Sequence, residues 1–345
     1  VIQVLSLDQP STELRARGSA VTIGNFDGCH RGHQALLGRT VALARERGMS
    51  AVAITFAPRP EAFFQAAKRG GPEALLFTPE QKSRALAEAG IDAQFVVRFD
   101  AAFAARTHQD FYRETLLERL GARALVVGDN FRFGNQRAGD ATFLAERGRA
   151  DGLVVEVGVG VTEGRERVSS TRVRTTLTQT GDVASVAAML GRPYLVEGVV
   201  RRGDQRGRTI GFPTANLAVR GAGIVAEQLL PLNGVYAGHL WIADADGGER
   251  PTLLTRARRA VPAVANLGVR PTVATGEPLP RLEVHALDAA FGPDELYGKA
   301  AGFYFVERLR GEERFASLDE LKAQISRDAD AARRILSNPG HAERP

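Results

Sequence analysis

SAVTIGNFDGCHRGHQALL, residues 19–37, decides how the first half of the chain folds. An apolar run of strand length ends at Gly24, and glycines at 24 and 28 let the backbone turn sharply. A helical pattern follows, which the spacing predicts from about His33 to Arg47. Strand, glycine turn and helix N-terminus in that order build the anion-binding crevices of parallel α/β sheets. Moving outward, AVAITF (51–56), a helix over Pro79–Ala89 and FVVRF (95–99) repeat the rhythm. A helix near 108–120, ALVVG (124–128) and VVEVGV (154–159) continue it. Alternation of this kind predicts a parallel, Rossmann-like sheet with helices on both faces. Both GNFDGCHRGH (24–33) and GDNFRFG (128–134) follow strands, so the two segments are expected to converge on one crevice at the carboxyl edge.

The period changes after a helical stretch that ends near Met189, where GRPY (191–194) interrupts the pattern. VEGVVRR (196–202), GVYAGHLWIA (234–243), AVPAVANLG (260–268), RLEVHALD (281–288) and AAGFYFVERLR (300–310) follow one another without long helices. Such a series predicts an antiparallel Greek-key barrel or sandwich. The last helical pattern has Ser317 and Glu320 placed as a capping box and an apolar stripe of Leu318, Leu321, Ile325 and Ala329, expected to cover the β-domain as core. The predicted organisation is a first domain over 1–187, a linker over 188–194, a second domain over 195–338 and a polar tail over 339–345 expected to fray.

Length and composition agree with two domains: 345 residues, 44% hydrophobic and 25% charged. The single cysteine, Cys29, has no partner for an internal disulfide, and no stretch is apolar enough for a bilayer span or a secretory signal, so a cytoplasmic place of work without membrane attachment is expected. The net charge of +5 favours anionic ligands. The arginines are dispersed, however, with no basic run longer than RARR (256–259) and no basic stretch interleaved with aromatics, which argues against a nucleic-acid track. Oligomeric state is not legible.

Within the crevice, His30 and His33 are three residues apart and can face one bound phosphate, donating hydrogen bonds as negative charge builds there. The bland alternative makes one a helix-end residue and the other a packing residue. Zinc is disfavoured for want of a third ligand nearby. VSSTRVR (168–174) offers Ser169 or Ser170 as a helix cap, with Thr171 and Arg174 able to hold phosphates, although read alone it is a polar helix start. In the second half, GDQRGRTIGFPTAN (203–216) combines glycines and arginines with Thr214 and Asn216, neutral oxygens suited to Mg²⁺. A glycine-rich basic hairpin is its plain reading. In RLEVHALD, Leu282, Val284 and Ala286 share one strand face and Glu283 and His285 the other, where a carboxylate can serve as a general base or simply meet solvent.

As a set these strings resemble the prokaryotic bifunctional riboflavin kinase/FMN adenylyltransferase family, also called FAD synthetases. ITFAPRP (54–60), FTPEQKSRALAEAGID (77–92) and VVGDNFRFGNQRAGD (126–140) fall in that family's order. So do GRPYLVEGVVRRGDQRGRTIGFPTANL (191–217), NGVYAG (233–238), VPAVANLGVRPTV (261–273), LEVHALD (282–288) and ELYGK (295–299). The resemblance implies an N-terminal nucleotidyltransferase domain and a C-terminal riboflavin kinase β-barrel with a closing helix. It implies phosphorylation of riboflavin by MgATP to FMN, then adenylylation of FMN by a second ATP to FAD and pyrophosphate.

By that resemblance His30 and His33 form the HxGH pair, Asn130 helps position the reacting phosphate, and Gly24, Phe26 and Asp27 line the nucleotide pocket. Ser170, Thr171 and Arg174 belong to the triphosphate site. In the kinase half Glu283 is implied as the base, Thr214 with Asn216 as the magnesium ligands, and Gly207, Arg208 and Gly211 as the phosphate loop. The chain departs from the family pattern at Cys29, usually valine, at Arg59, commonly histidine, and in a longer, more basic hairpin over 244–260. A single-activity member with one impaired site is the rival within enzymes. An arginine-rich nucleic-acid binder is the rival outside them.

Overall fold

Strands buried on both faces need no alternation, and the first half obeys this rule: all of Ser19–Ile23 and the first six residues of Ser50–Ala57 are buried. The computed structural model of the chain describes residues 2–6, 12–69, 74–202, 212, 214–219, 228–243, 253, 260–271, 278–289, 291–292 and 296–337. Six strands form one sheet: β1 (Gln3–Ser6), β2 (Ser19–Ile23), β3 (Ser50–Ala57), β4 (Ala93–Arg98), β5 (Ala122–Gly128) and β6 (Val154–Gly158). Their order is β1-β4-β3-β2-β5-β6 and every pair is parallel.

From β2 the chain winds one way through β3 and β4, then returns to place β5 on the other side of β2. Order reversal of this kind opens a crevice beyond the carboxyl ends of β2 and β5. Helices α1 (Thr12–Arg17), α2 (Arg31–Glu46), α3 (Pro60–Arg69), α4 (Pro79–Glu88) and α5 (Ala141–Asp151) connect the strands. The stretch expected as a helix near 108–120 is a short turn, His108–Asp110, running into a wide π-type helix over Phe111–Arg119. Its Phe111 and Leu116 join Val21, Ile54, Phe95 and Leu125 in one core.

The second half opens with α6 (Ser170–Thr175) and α7 (Val183–Leu190), the latter capped by Asp182 and stopped by Gly191 at φ 74°. Strands β7 (Tyr194–Arg201), β8 (Ala215–Ala218), β9 (Gly234–Ile242), β10 (Val261–Pro271), β11 (Pro278–Ala286) and β12 (Ala300–Arg310) follow. They close into an antiparallel barrel in the order β7-β8-β11-β10-β9-β12. Closure pairs every strand on both sides and leaves no open edge.

By Cα packing the chain forms two compact units, Val1–Glu73 with Phe77–Ser169, and Ala74–Leu76 with Ser170–Pro345. Ala74–Leu76 joins the second unit because Leu229 N donates to Leu75 O at 2.7 Å and Gln228 Nε2 donates to both Leu76 O and Leu195 O.

The closing helix, α8 (Leu318–Leu336), is capped by Ser317, whose hydroxyl accepts from Glu320 N. The return bond of the expected capping box goes to Ala316 N rather than to Ser317. Its apolar contact centres on Ala329 and Ala332 against Ala237 and Leu287, while Leu318 at the start of the expected stripe is 53% exposed. A bidentate ion pair between Arg310 of β12 and Asp328 anchors the helix, at 2.8 Å for the shortest contact. Both side chains are largely buried, so breaking the pair leaves an uncompensated charge. Asp328→Ala is expected to destabilise α8 by about 3 kcal/mol. Faster amide exchange confined to 318–336 is the measurement; unchanged protection would refute it.

Candidate active sites

The turn after β2 carries three non-glycine or glycine residues in the left-handed region within four positions: Phe26 at φ 46°, Gly28 at φ 76° and Cys29 at φ 39°. Non-glycine residues hold such angles only where surrounding structure enforces them. Here Phe26, Asp27 and Cys29 are fully buried, Cys29 N donates to Phe26 O at 3.2 Å, and Asp27 accepts from Phe77 N at 3.2 Å. Gly24 is tied to β3 through Ile54 O at 3.1 Å, and a Cβ there would stand 3.2 Å from the Phe26 ring.

Helix α2 starts at Arg31, two residues earlier than the pattern suggested, because His30 is its N-cap: Nδ1 accepts from His33 N at 3.3 Å. With Nδ1 used as acceptor, the neutral His30 ring carries its proton on Nε2. The two imidazoles stack with centroids 3.6 Å apart and planes 17° from parallel, and Phe26 meets His33 edge-on at 5.2 Å. Gly32 permits this, since a Cβ there would lie 3.3 Å from the His30 ring. The expected His30/His33 pairing is therefore made, and the capping and packing roles of the bland reading are made with it.

Burial, then His30, then Lys82 push His33 well below the ordinary histidine value of 6.5. His33 is thus neutral at pH 7, and its buried Nδ1 makes no hydrogen bond within the protein. As pH falls through about 6.5 the unfolded chain takes up a proton at this ring and the folded chain does not, so stability rises with pH between the lowered value and 6.5. In a ring-resonance NMR titration His33 is expected to keep its neutral shifts through about pH 6. A midpoint near 6.5 would refute this.

The remaining residues expected for this site divide between the two compact units. Asn130 is exposed on the turn after β5, and a Cβ at Gly128 would stand 3.3 Å from Asn130 Oδ1 and 4.0 Å from Leu36 of α2. Val168 passes the histidine turn, its carbonyl 4.0 Å from a Cβ built on Gly32. Ser170 begins α6, so Ser169 is the flanking position. Ser170, Thr171 and Arg174 share one face of α6 by helical spacing, and Arg174 donates to Ala74 O at 2.7 Å. These three residues belong to the second compact unit.

On the barrel, Glu283 of β11 stands directly opposite Asn216 of β8 on one side and Asn266 of β10 on the other, and Asn216 is in turn opposite Arg201 of β7. Directly opposed residues share a face with Cβ atoms about 4.5–5.5 Å apart. Leu282, Val284, Ala215, Leu217, Ala265 and Leu267 are buried on the other face, so the row Arg201, Asn216, Glu283, Asn266 points outward. Thr214 enters β8 two residues before Asn216, and Phe212 meets the His285 ring at 5.4 Å. Gly207, Arg208, Gly211 and nearly all of the 244–260 hairpin lie outside the described residues. Asn266 was not singled out from sequence; its signal was a polar residue interrupting the apolar run VPAVANLG. Lys82 beside His33 carries no comparable signal, whereas Arg59, 3.8 Å from Asp27, stands out in the sequence as a departure from the family pattern.

The donors beside Glu283 are hard oxygens, the amide carbonyls of Asn216 and Asn266, and Thr214, two residues before Asn216, adds a hydroxyl on the same approach to β8. That set suits Mg²⁺ carried on a nucleotide, which takes few protein ligands and keeps water. Among the described residues no group of three or more His, Cys, Asp or Glu could hold a metal by itself.

The FAD synthetase family model matches residues 12–172 and the riboflavin kinase model residues 190–336. Bifunctional riboflavin kinase/FMN adenylyltransferase of Escherichia coli K12 is 42% identical over 319 residues, 92% of this chain and 93% of the relative. The chain belongs to this family. Relatives of the same name from Pseudomonas fluorescens and Bacillus subtilis are 38% and 32% identical, covering 94% and 93% of the chain and 95% and 93% of their own lengths. A crystal structure from Streptococcus pneumoniae named a macrolide-efflux protein is similar over 96% of this chain and 99% of that one, with a TM-score of 0.79 and 26% identity. Among the described residues no helix is long and apolar enough to cross a membrane. The family's two models fall one on the parallel sheet with its histidine turn, the other on the barrel with its Glu283 row.

Proposed function

We propose that this chain makes FAD in two steps: its barrel phosphorylates riboflavin with ATP to FMN and ADP, and its α/β half joins FMN to AMP from a second ATP, releasing pyrophosphate. The observation that carries this reading is the presence of both family models on one chain, one over the histidine turn and the other over the Glu283 row. In the first step the Glu283 carboxylate takes the proton of the ribityl 5′-hydroxyl as that oxygen attacks the γ-phosphorus and ADP leaves. Asn216 and Thr214 hold the metal of MgATP, which neutralises charge on the phosphates when bound. Gly207, Arg208 and Gly211 are assigned to the phosphate loop by sequence order.

In the second step a phosphate oxygen of FMN attacks the α-phosphorus. His30 Nε2–H and the neutral His33 ring are donors for the oxygen on which charge builds, and the start of α2 adds backbone N–H groups. Gly24, Phe26 and Asp27 shape the nucleotide pocket, Asn130 positions the reacting phosphate, and Ser170, Thr171 and Arg174 hold the departing β- and γ-phosphates. The modules proposed from the sequence are 1–187 and 195–338 joined through 188–194; the family models end at 172 and resume at 190, and the compact units divide between Ser169 and Ser170. Use of ATP in both steps supports a cytoplasmic place of work. Riboflavin and FMN supplied in separate reactions with ATP and magnesium, with products resolved by chromatography, test the reading. FMN that accumulates without FAD refutes the adenylyl step, and conversion of supplied FMN alone refutes the kinase step.

A further inference from the structure

Two contacts clamp the nucleotide turn against the start of α3. Asn25 Nδ2 donates to Glu61 Oε2 at 3.2 Å, and Arg59 NH1 lies 3.8 Å from Asp27 Oδ2. The Asp27 side chain has no exposed surface and that of Arg59 is 14% exposed, so the pair is largely withdrawn from water. Asp27 occupies the centre of the strained turn, between Phe26 and Gly28, both left-handed. Phe26 in turn rests its edge on His33, which stacks on His30. A displacement of Asp27 is therefore carried by fully buried groups to the two imidazoles, because a packed interior transmits shifts rather than absorbing them.

We propose that Arg59 is a positioning residue for the adenylyl step: through Asp27 it pins the turn that places Phe26, His33 and His30, and it offsets the buried Asp27 carboxylate within that turn. The inference rests on the adenylyltransferase reading of this site. Arg59 itself contacts no reacting atom in this scheme. Loss of its charge removes an opposite charge 3.8 Å from a carboxylate withdrawn from water, while Phe77 N still donates to that carboxylate at 3.2 Å, and weakening a buried ion pair in this way is unfavourable.

The test is a double-mutant cycle on the full chain with Arg59→Gln, Asp27→Asn and both together, plus Arg59→Lys. Arg59→Gln is expected to lower kcat/KM for ATP in FAD formation on the order of 10- to 100-fold, chiefly through KM for ATP. Arg59→Lys should return it to within about threefold of the parent, and the double variant should fall short of the product of the single effects. Riboflavin phosphorylation by the same samples should stay unchanged. The proposal is overturned if Arg59→Gln leaves KM for ATP alone, if it raises KM for FMN instead, if lysine restores nothing, or if the cycle is additive. His30 and His33 ring resonances supply a readout free of turnover: they should move in Arg59→Gln and return in Arg59→Lys, and fixed resonances overturn the proposal. A parent chain that forms no FAD refutes the adenylyltransferase reading, while the resonances still decide whether Arg59 pins the turn.

Discussion

Glu283→Gln is expected to cut FMN formation roughly 10²- to 10⁴-fold, the contribution of a well-placed general base, while supplied FMN is still converted to FAD. The amide keeps the shape and hydrogen-bonding reach of the side chain but cannot accept the hydroxyl proton. Asn216 and Asn266 sit directly opposite Glu283 on the two neighbouring strands, so the substitution leaves the cross-strand row sterically intact. Leu282 and Val284 face the buried side and continue to hold β11 in register, which separates loss of chemistry from loss of fold. A kinase rate within a few-fold of the parent would remove Glu283 from the mechanism. Loss of both reactions in a folded sample would contradict two independent sites.

His30→Asn should lower FAD formation about 10²- to 10³-fold, the usual effect of removing one donor from developing charge, with FMN formation untouched. Asparagine is the informative replacement because His30 has two jobs. Its Nδ1 caps α2 by accepting from His33 N. Asparagine is a good N-cap and retains an acceptor, whereas alanine would add a capping loss of about 1 kcal/mol to whatever chemistry is lost. Parallel assays of the two steps by chromatography, with the thermal midpoint as a control, give the answer. If His30→Asn keeps FAD formation near the parent rate while His30→Ala is the less stable of the two, the ring acts as a cap and not as a donor.

Much of the first half is legible in the sequence itself, because parallel strands covered on both faces read as apolar runs and the helices between them keep their own period. The histidine pair was legible for a related reason: its members are three residues apart, and local geometry alone brings them to one end of one helix. The start of α2 was placed late, since periodicity sees side-chain burial and not the cap, and the bond from His33 N to the His30 ring exists only when the ring folds back over Gly32. Leu318 fits the apolar spacing of α8 yet is exposed, because the helix meets the barrel around Ala329 and Ala332, further along its length. The register that sets Asn266 beside Glu283 was out of reach, as strand order in a closed barrel is decided by non-local pairing.

The amino-acid order by itself determined the alternating and non-alternating halves, the glycine turn after β2, the helix start beside two histidines and the opposite faces of β11. Each depends on neighbours within a few residues, where backbone angles and side-chain period act directly. Only the tertiary structure decided that Arg59 faces Asp27, that Lys82 joins burial in keeping His33 neutral, and that Asn216 and Asn266 flank Glu283. Those contacts join residues remote in the chain, and they form because burying charge and closing a sheet are favourable only when every distant partner arrives together.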